Sequence, residues 1–366
     1  LKPRALRSRR AGPSTRCRRA PAGAVLALLA ASSLLQPATG LAVDKYAAEF
    51  LKIPVGARAI GMGGAFSALA DDATAVYWNP AGLIFESRRQ IWAEHAEQFG
   101  DIANHDFLAF SQPLNATRGG DLQAIGLGFI RSAVDDILVD SLDPSRLVPD
   151  EHFIDANGNE TWDPGETLLT ANIPFELDSV SEMAFMFSYA RTIGEKLALG
   201  GTVKVIRQSL PDNASFGVGA DVGAMYMPTP TISASLRVSD VTTTYLSWDS
   251  GNREVLAPSV TLGMQYTRAF APLRGVVTVA GDMDMTFDNR KTASGVSYGE
   301  TVLGSDFHGG IEYWYAQRLA LRFGATTNAL TGGAGFRYRS FGVDYAFIGD
   351  HPDLDATHRI GGSYSF

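Results

Sequence analysis

Residues 259–269 read Ser-Val-Thr-Leu-Gly-Met-Gln-Tyr-Thr-Arg-Ala, with Val260, Leu262, Met264 and Tyr266 apolar and Thr261, Gly263, Gln265 and Thr267 between them. A period of two puts alternate side chains on opposite faces of an extended chain, so the stretch predicts a strand with one greasy and one wet side. The next stretch, Gly275–Phe287, repeats the pattern, with Val277, Val279, Met283 and Met285 set against Thr278, Ala280, Asp282 and Asp284. Leu319, Leu321 and Phe323 alternate with Ala320, Arg322 and Gly324, and Val343, Tyr345 and Phe347 with Asp344 and Ala346.

Working outward from these strands, the pattern runs from Arg88 to the last residue. About fourteen segments are expected, from Gln90–Phe99 through Leu122–Ser132, Ser181–Thr192 and Ile232–Asp240 to Thr357–Phe366. An even count suits a single-chain barrel of antiparallel strands. The joins supply a second argument. If the first strand runs outward, the periplasmic joins (Pro113–Asp121, Ile193–Lys196, Pro228–Thr231, Phe270–Arg274, Ala316–Arg318, Arg339–Ser340) are short. The outward joins include the long stretches Ala133–Val180, Val241–Pro258 and Asp288–Asp306, with short ones near Gln208–Ser215 and Asn328–Thr331. Short inner turns and long outer loops are the habit of outer-membrane barrels. A soluble sandwich alternates too, but it leaves sheet edges open. Here the polar members include Lys204, Asp221, Arg237, Asp282, Glu312, Arg322, Arg337, Asp344 and Arg359, which a barrel points into its lumen while the apolar set meets lipid. The closing alternation His358, Ile360, Gly362, Tyr364, Phe366 ends on an aromatic, and Tyr364 with Phe366 reads as the signal for barrel-insertion machinery.

The opening of the chain is of another kind. Its first 42 residues hold eight of the 31 Lys and Arg and no acid. A basic stretch from Lys2 to Arg19 precedes the apolar run Ala22–Leu35, and small residues follow at Ala38, Gly40 and Ala42. That plan predicts a secretory signal over residues 1–42, cut after Gly40 or Ala42. The remainder carries 23 basic against 39 acidic residues, a net charge of −16, which excludes nucleic acid as a partner. The single cysteine, Cys17, falls within the signal, so no disulfide or thiol chemistry is expected beyond it.

Residues 43–87 do not alternate. Phe50-Leu51-Lys52-Ile53-Pro54-Val55-Gly56 leads to Gly61-Met62-Gly63-Gly64, then to Asp71-Asp72-Ala73-Thr74-Ala75 and Tyr77-Trp78-Asn79-Pro80-Ala81-Gly82. The glycines lack both the GxGxxG spacing and the βαβ setting of a nucleotide loop. They suit tight backbone packing, with Asp71 or Asp72 capping a short helix and Asn79–Gly82 making a turn. Ahead of the first strand, such a segment is expected to fold into the lumen as a hatch.

These residues resemble the PorV/PorQ family of outer-membrane proteins, and Asn79-Pro80-Ala81 is also similar to the wider FadL-type channels. The closing Val343–Phe347 and Thr357–Ile360 resemble the last hairpin of the same family. The resemblance implies an all-β transmembrane barrel of fourteen strands over residues 88–366, with a hatch. It also implies a non-enzymatic part in type IX-like protein secretion or surface attachment, with the translocon and cargo proteins as partners. The alternative is a FadL-like channel for hydrophobic solutes; the charged lumen residues weigh mildly against it.

In the long loop 133–180, Asp155, Asn157, Asn159, Asp163 and Glu166 place oxygen-bearing side chains at positions 1, 3, 5, 9 and 12 of a twelve-residue run, and Thr161 offers its carbonyl at position 7. This is the ligand order of an EF-hand loop, although Glu160 replaces the usual glycine and no helices flank it. A structural Ca²⁺ held at about 10⁻⁴–10⁻³ M is expected there, and no other cofactor. The six histidines show no HExxH or zinc spacing, and no catalytic constellation stands out.

Overall fold

The computed structural model describes residues 47–98, 102–114, 120–140, 153–159, 163, 166, 175–271, 274–286, 304–349 and 357–366. The signal expected over residues 1–42 lies outside them. Sixteen strands form one antiparallel sheet. Fourteen make the barrel wall: β1 (Gln90–Gln98), β2 (Ala103–Leu114), β3 (Gln123–Asp140), β4 (Phe175–Ile193), β5 (Leu197–Leu210), β6 (Asn213–Thr229), β7 (Ile232–Ser239), β10 (Ser259–Phe270), β11 (Gly275–Thr286), β12 (Gly304–Tyr315), β13 (Leu319–Ala325), β14 (Leu330–Tyr338), β15 (Phe341–Ile348) and β16 (Thr357–Ser365). Each pairs with its neighbours in the sequence, and β1 pairs β16 from Gln90↔Ser365 to His95↔Ile360. That seam closes the cylinder and removes the exposed edges that an open sheet must otherwise protect.

The two extra strands correct one expectation. Within the predicted loop Val241–Pro258, β8 (Thr244–Trp248) and β9 (Arg253–Leu256) form a hairpin, and β8 pairs with the upper part of β6, Ser215↔Trp248 to Val218↔Tyr245. Asp249-Ser250-Gly251-Asn252 makes its turn, with Gly251 at φ 83°. The long loop 133–180 is also shorter than expected, because β3 and β4 run on as a ladder to Asp140↔Phe175. Backbone pairing does not require alternating hydropathy above the membrane, so sequence alternation ends before the ladder does. A bulge between Val134 and Ile137, with Asp136 at φ 57°, marks the change.

At the short-turn end, Ala316 and Gln317 both take positive φ (50° and 58°), as a two-residue type I′ hairpin needs, and Arg318 N–H donates to the Tyr315 carbonyl at 2.9 Å. Large apolar side chains cover the outside, among them Phe185, Phe187, Leu262, Met264, Leu321, Phe323 and Ile360. Leu321 is 66% exposed, a value that only a lipid surround makes favourable on this scale. Tyr226, Tyr266, Tyr315, Tyr338, Phe341 and Tyr364 ring the outside near the short turns, where an aromatic girdle meets the membrane interface. Phe366 continues that ring: its N–H and carbonyl exchange hydrogen bonds with the Arg89 backbone (2.9 and 3.2 Å), and its ring stacks on Tyr364 at 5.6 Å. No described helix is long and apolar enough to cross a membrane; strands do the crossing.

Candidate functional site: the hatch and the two inner walls

The hatch is built from short pieces. A 3₁₀ turn at Glu49–Lys52 precedes α1 (Ala57–Gly61), α2 (Ala75–Trp78) and a second 3₁₀ helix at Pro80–Phe85. Neither Asp71 nor Asp72 caps α2, whose N-cap is Thr74 with no side-chain cap; Asp72 Oδ1 instead accepts from the Thr74 N–H at 3.0 Å in a turn just ahead of it, a bond the short side chain makes two residues on. Asn79 caps the 3₁₀ helix by accepting from the Ala81 N–H at 3.1 Å, with Pro80 at the first helical position where no donor is needed. Asn79 Nδ2 also donates to the Ser67 carbonyl at 3.1 Å, so the Asn79-Pro80-Ala81-Gly82 motif ties the hatch to itself. Trp78 donates to the Val55 carbonyl (2.9 Å), and Tyr77 to that of Leu51 (3.0 Å).

The lumen holds this piece in two different ways. On the side of β11–β16, the hatch meets charge. Arg58 lays its guanidinium on Glu312 of β12 through two bonds of 3.0 Å, and its Nη1 also reaches Asp71 (2.5 Å) and Asp72 (3.2 Å). Arg322 of β13 bonds the same Glu312 at 2.6 Å and lies 2.7 Å from Asp344 of β15, which also faces Arg337 at 3.3 Å. Glu94 of β1 accepts from the N–H groups of Gly56 (3.1 Å) and Ala57 (2.5 Å) at the start of α1, and pairs with Arg359 of β16. Asp282 accepts from the N–H groups of Phe66 (3.0 Å) and Ser67 (2.7 Å). The charges foreseen as lumen residues are there, but they are spent on the hatch and on one another. Lys204 is spent as well, with its Nζ 2.8 Å from both Asp221 and Asp240.

Glycines on the wall let the hatch come this close. A Cβ at Gly310 would run into the Met62 carbonyl, one at Gly324 into the Gly63 backbone, and one at Gly200 into Pro80 and Ala81. Gly63 itself has φ 67° and packs on the backbones of Ala325 and Gly309, and Gly61 abuts Gly333. Gly64 sits beside His308, whose Nδ1 is 2.8 Å from the Gly63 carbonyl, while Gly82 packs on Ala70. The predicted reading of Gly61, Gly63, Gly64 and Gly82 as tight-packing positions is what the contacts display. The partner glycines on the wall carried no such signal, because glycine is common in these strands for other reasons.

On the opposite side the hatch meets an apolar patch of the inner wall, set among polar side chains such as Ser188, Thr202 and Lys204. Phe107 and Ala109 of β2, Ile130 of β3, Ala184 and Met186 of β4 and Ile206 of β5 point inward, are buried, and share one hydrophobic cluster with Phe50, Val76 and Leu83 of the hatch. Outside this same wall lies an apolar depression of about 510 Å³, flanked by Leu108, Leu127, Phe129, Phe185 and Phe187, with Gly128 and Met186 in its floor. A Cβ on Gly128 would press on the Cγ2 of Val76, so only the strand backbone separates that depression from the hatch. The ladder is unbroken here, from Asn104↔Ala133 to Leu114↔Gln123 on one side of β3 and from Gln123↔Arg191 to Val134↔Val180 on the other.

The loop read as a calcium clip is folded on itself. Asp163 Oδ2 accepts from the side-chain amides of Asn157 (2.7 Å) and Asn159 (2.8 Å), Asp155 Oδ1 from the N–H of Asn157 and of Gly158, and Glu166 from the N–H of Ala156 and of Asp163. Thr161 lies outside the described residues.

Neither a protein-family profile nor a curated protein matches the chain. Solved structures do match over most of its length. The monoaromatic hydrocarbon channel CymD superposes with a TM-score of 0.52 at 14% identity, over 86% of this chain and 98% of that one. The toluene transporter TodX of Pseudomonas putida gives 0.50 at 14% identity, over 85% and 97%. Both of these are hydrocarbon channels. The chain shares the fold of these channels, a fourteen-strand cylinder around an N-terminal hatch.

Proposed function

We propose that the protein is an outer-membrane channel for small hydrophobic solutes, inserted by machinery that reads its last strand. The observation that carries this is the unlike lining of the lumen. A purely polar solute path needs a wet wall all round, whereas β2–β5 present aromatic and aliphatic side chains against Phe50, Val76 and Leu83 of the hatch. Binding sites for apolar ligands are lined in this way, with few polar groups. The charged half, which weighed against a greasy conduit when only its residue types were known, is committed to holding the hatch in place. The shared fold with channels described for monoaromatic hydrocarbons and toluene supports the same reading. A solute on this wall has a short way to the lipid, since the apolar depression outside β2–β4 lies behind the same strands.

The test is uptake of dilute labelled toluene by bacteria that lack their own hydrophobic-solute channels, with and without this protein. Faster uptake with the protein is expected; equal uptake overturns the channel. Secretion of surface proteins, the role implied by the PorV/PorQ resemblance, is scored in a deletion strain. Surface proteins trapped in the periplasm with toluene uptake unchanged would reverse the order of the two readings.

A further inference from the structure

Most polar side chains on the inner face of β2–β5 answer one another, Ser188 with Thr202, Gln208 with Glu182, and Lys204 with Asp221 and Asp240; His105 does not share in these pairs. His105 of β2 faces inward and is 1% exposed, and neither ring nitrogen has a hydrogen-bond partner of ordinary geometry among the described residues. The backbone of Phe50 is close enough to act on one ring nitrogen as a weak hydrogen-bond partner, which leaves the other nitrogen as a bare acceptor, and the charge of Arg359 reaches the ring. The β1–β2 register sets His105 opposite Ala96 and leaves Gln98 diagonal to it on the same inner face. Gln98 is 6% exposed, and its Nε2 likewise has no partner. On the other side His105 pairs in register with Ser132, and the next inward pair is Phe107 with Ile130. Two adjacent strands thus point unpaired donors and an acceptor into a greasy surround. Groups left unmet in this way are costly, and folded proteins keep few of them without a reason.

We infer that His105 and Gln98 form the head-group site of the channel, and that its preferred solute is an apolar molecule bearing one uncharged hydroxyl, such as a phenol or an alcohol. This rests on the channel reading above. A neutral imidazole offers one acceptor and one donor, and the glutamine Nε2 offers donors only. A hydroxyl matches both, donating to the ring nitrogen and accepting from Gln98. A bare hydrocarbon leaves all of these groups unmet. An ionised carboxylate needs a free cation; among the described residues the inward faces of β2, β3 and β4 carry no Lys or Arg, and Arg359 of β16, whose charge reaches the ring, is held by Glu94 and the Pro54 carbonyl. Arg131 is turned outward to Asp106, and Lys204 is held by Asp221 and Asp240. A site built to bond a hydroxyl rejects the analogue without it far more strongly than an apolar pocket rejects a missing methylene.

The experiment compares para-cresol, toluene and benzoate, rings of similar size, by calorimetry on the full chain in detergent micelles. Para-cresol is expected to bind more tightly than toluene by at least about tenfold, with benzoate weakest. In His105→Phe the cresol preference should collapse while toluene affinity stays; Gln98→Leu should show a smaller loss of the same kind. Heat-modifiable gel mobility establishes that each variant is a closed barrel, and if His105→Phe fails that check, Gln98→Leu decides. Equal affinities for cresol and toluene, a preference that survives in every variant that closes, or benzoate binding tightest each overturns the assignment. Toluene uptake without a cresol preference sinks this inference alone. If neither ring binds and uptake is also absent, the channel reading falls with it, and water is what meets the polar atoms.

Discussion

The two inner walls of the barrel hold the same hatch by opposite physics. Around β11–β16, buried arginines and carboxylates form a chain from Arg58 through Glu312, Arg322 and Asp344 to Arg337, with Trp314 lying under the guanidiniums of Arg322 and Arg337 at 5.4 and 5.1 Å. Around β2–β5, the contact is Phe107, Ile130, Met186 and Ile206 against apolar hatch residues. Charge fixes position and register, because a buried ion displaced from its partner is left bare. Apolar contact fixes neither so sharply, and it tolerates exchange of one greasy body for another. The difference separates an anchoring wall from a wall that a solute can share.

The largest expected effect tests the anchor. Glu312→Ala leaves Arg58 and Arg322 buried without their common acceptor and should lower the unfolding free energy by about 3–5 kcal/mol, measured as loss of the heat-resistant gel form in urea; a loss below about 1 kcal/mol would mean that the chain of charges does not anchor. Ile130→Ala on the apolar wall should cost about 2–5 kcal/mol, and toluene should restore part of it by filling the cavity. No restoration would weaken the distinction between the walls. Gly310→Ala drives a methyl group into the Met62 carbonyl and should cost about 1–3 kcal/mol, whereas Gly201→Ala, where the nearest atom is 3.7 Å away, should be neutral. Equal outcomes for the two glycines would show that the hatch yields easily. The smallest effect belongs to Arg131→Met, which breaks the half-exposed pair with Asp106 (3.5 Å) and should change stability by about 0–1 kcal/mol. A larger value there would mean that burial is not what gives the inner charges their weight.

Much of this fold was legible in the residues. The wall strands follow the alternation, since lipid outside and a packed interior inside impose a period of two on every strand. The β8–β9 hairpin was legible too, with Asp249-Ser250-Gly251-Asn252 between two short alternating runs, but its shortness let it pass as loop. The hatch was readable from the break in alternation at residues 43–87; Asn79, read as a turn residue, is a helix cap as well, and the cap expected of Asp71 or Asp72 is replaced by a turn at Asp72. Which way each charge is spent was not readable. Arg58 and Glu312 lie 254 residues apart, and pairing across a cylinder depends on register between strands, which single residues do not encode. His105 and Gln98 were invisible for the same reason: their lack of partners is a property of the assembled lumen, not of their local sequence.

The seam between β1 and β16 has a bearing on how the molecule is made. Arg89, immediately after the hatch, clasps Phe366 at the far end of the wall, so the ring is not whole until the last strand is laid down. Inside that ring Arg58, Gly63 and Pro80 nest tightly against wall positions. One set of contacts thus serves two ends, since what closes the ring also encloses the hatch, and neither can be loosened without the other.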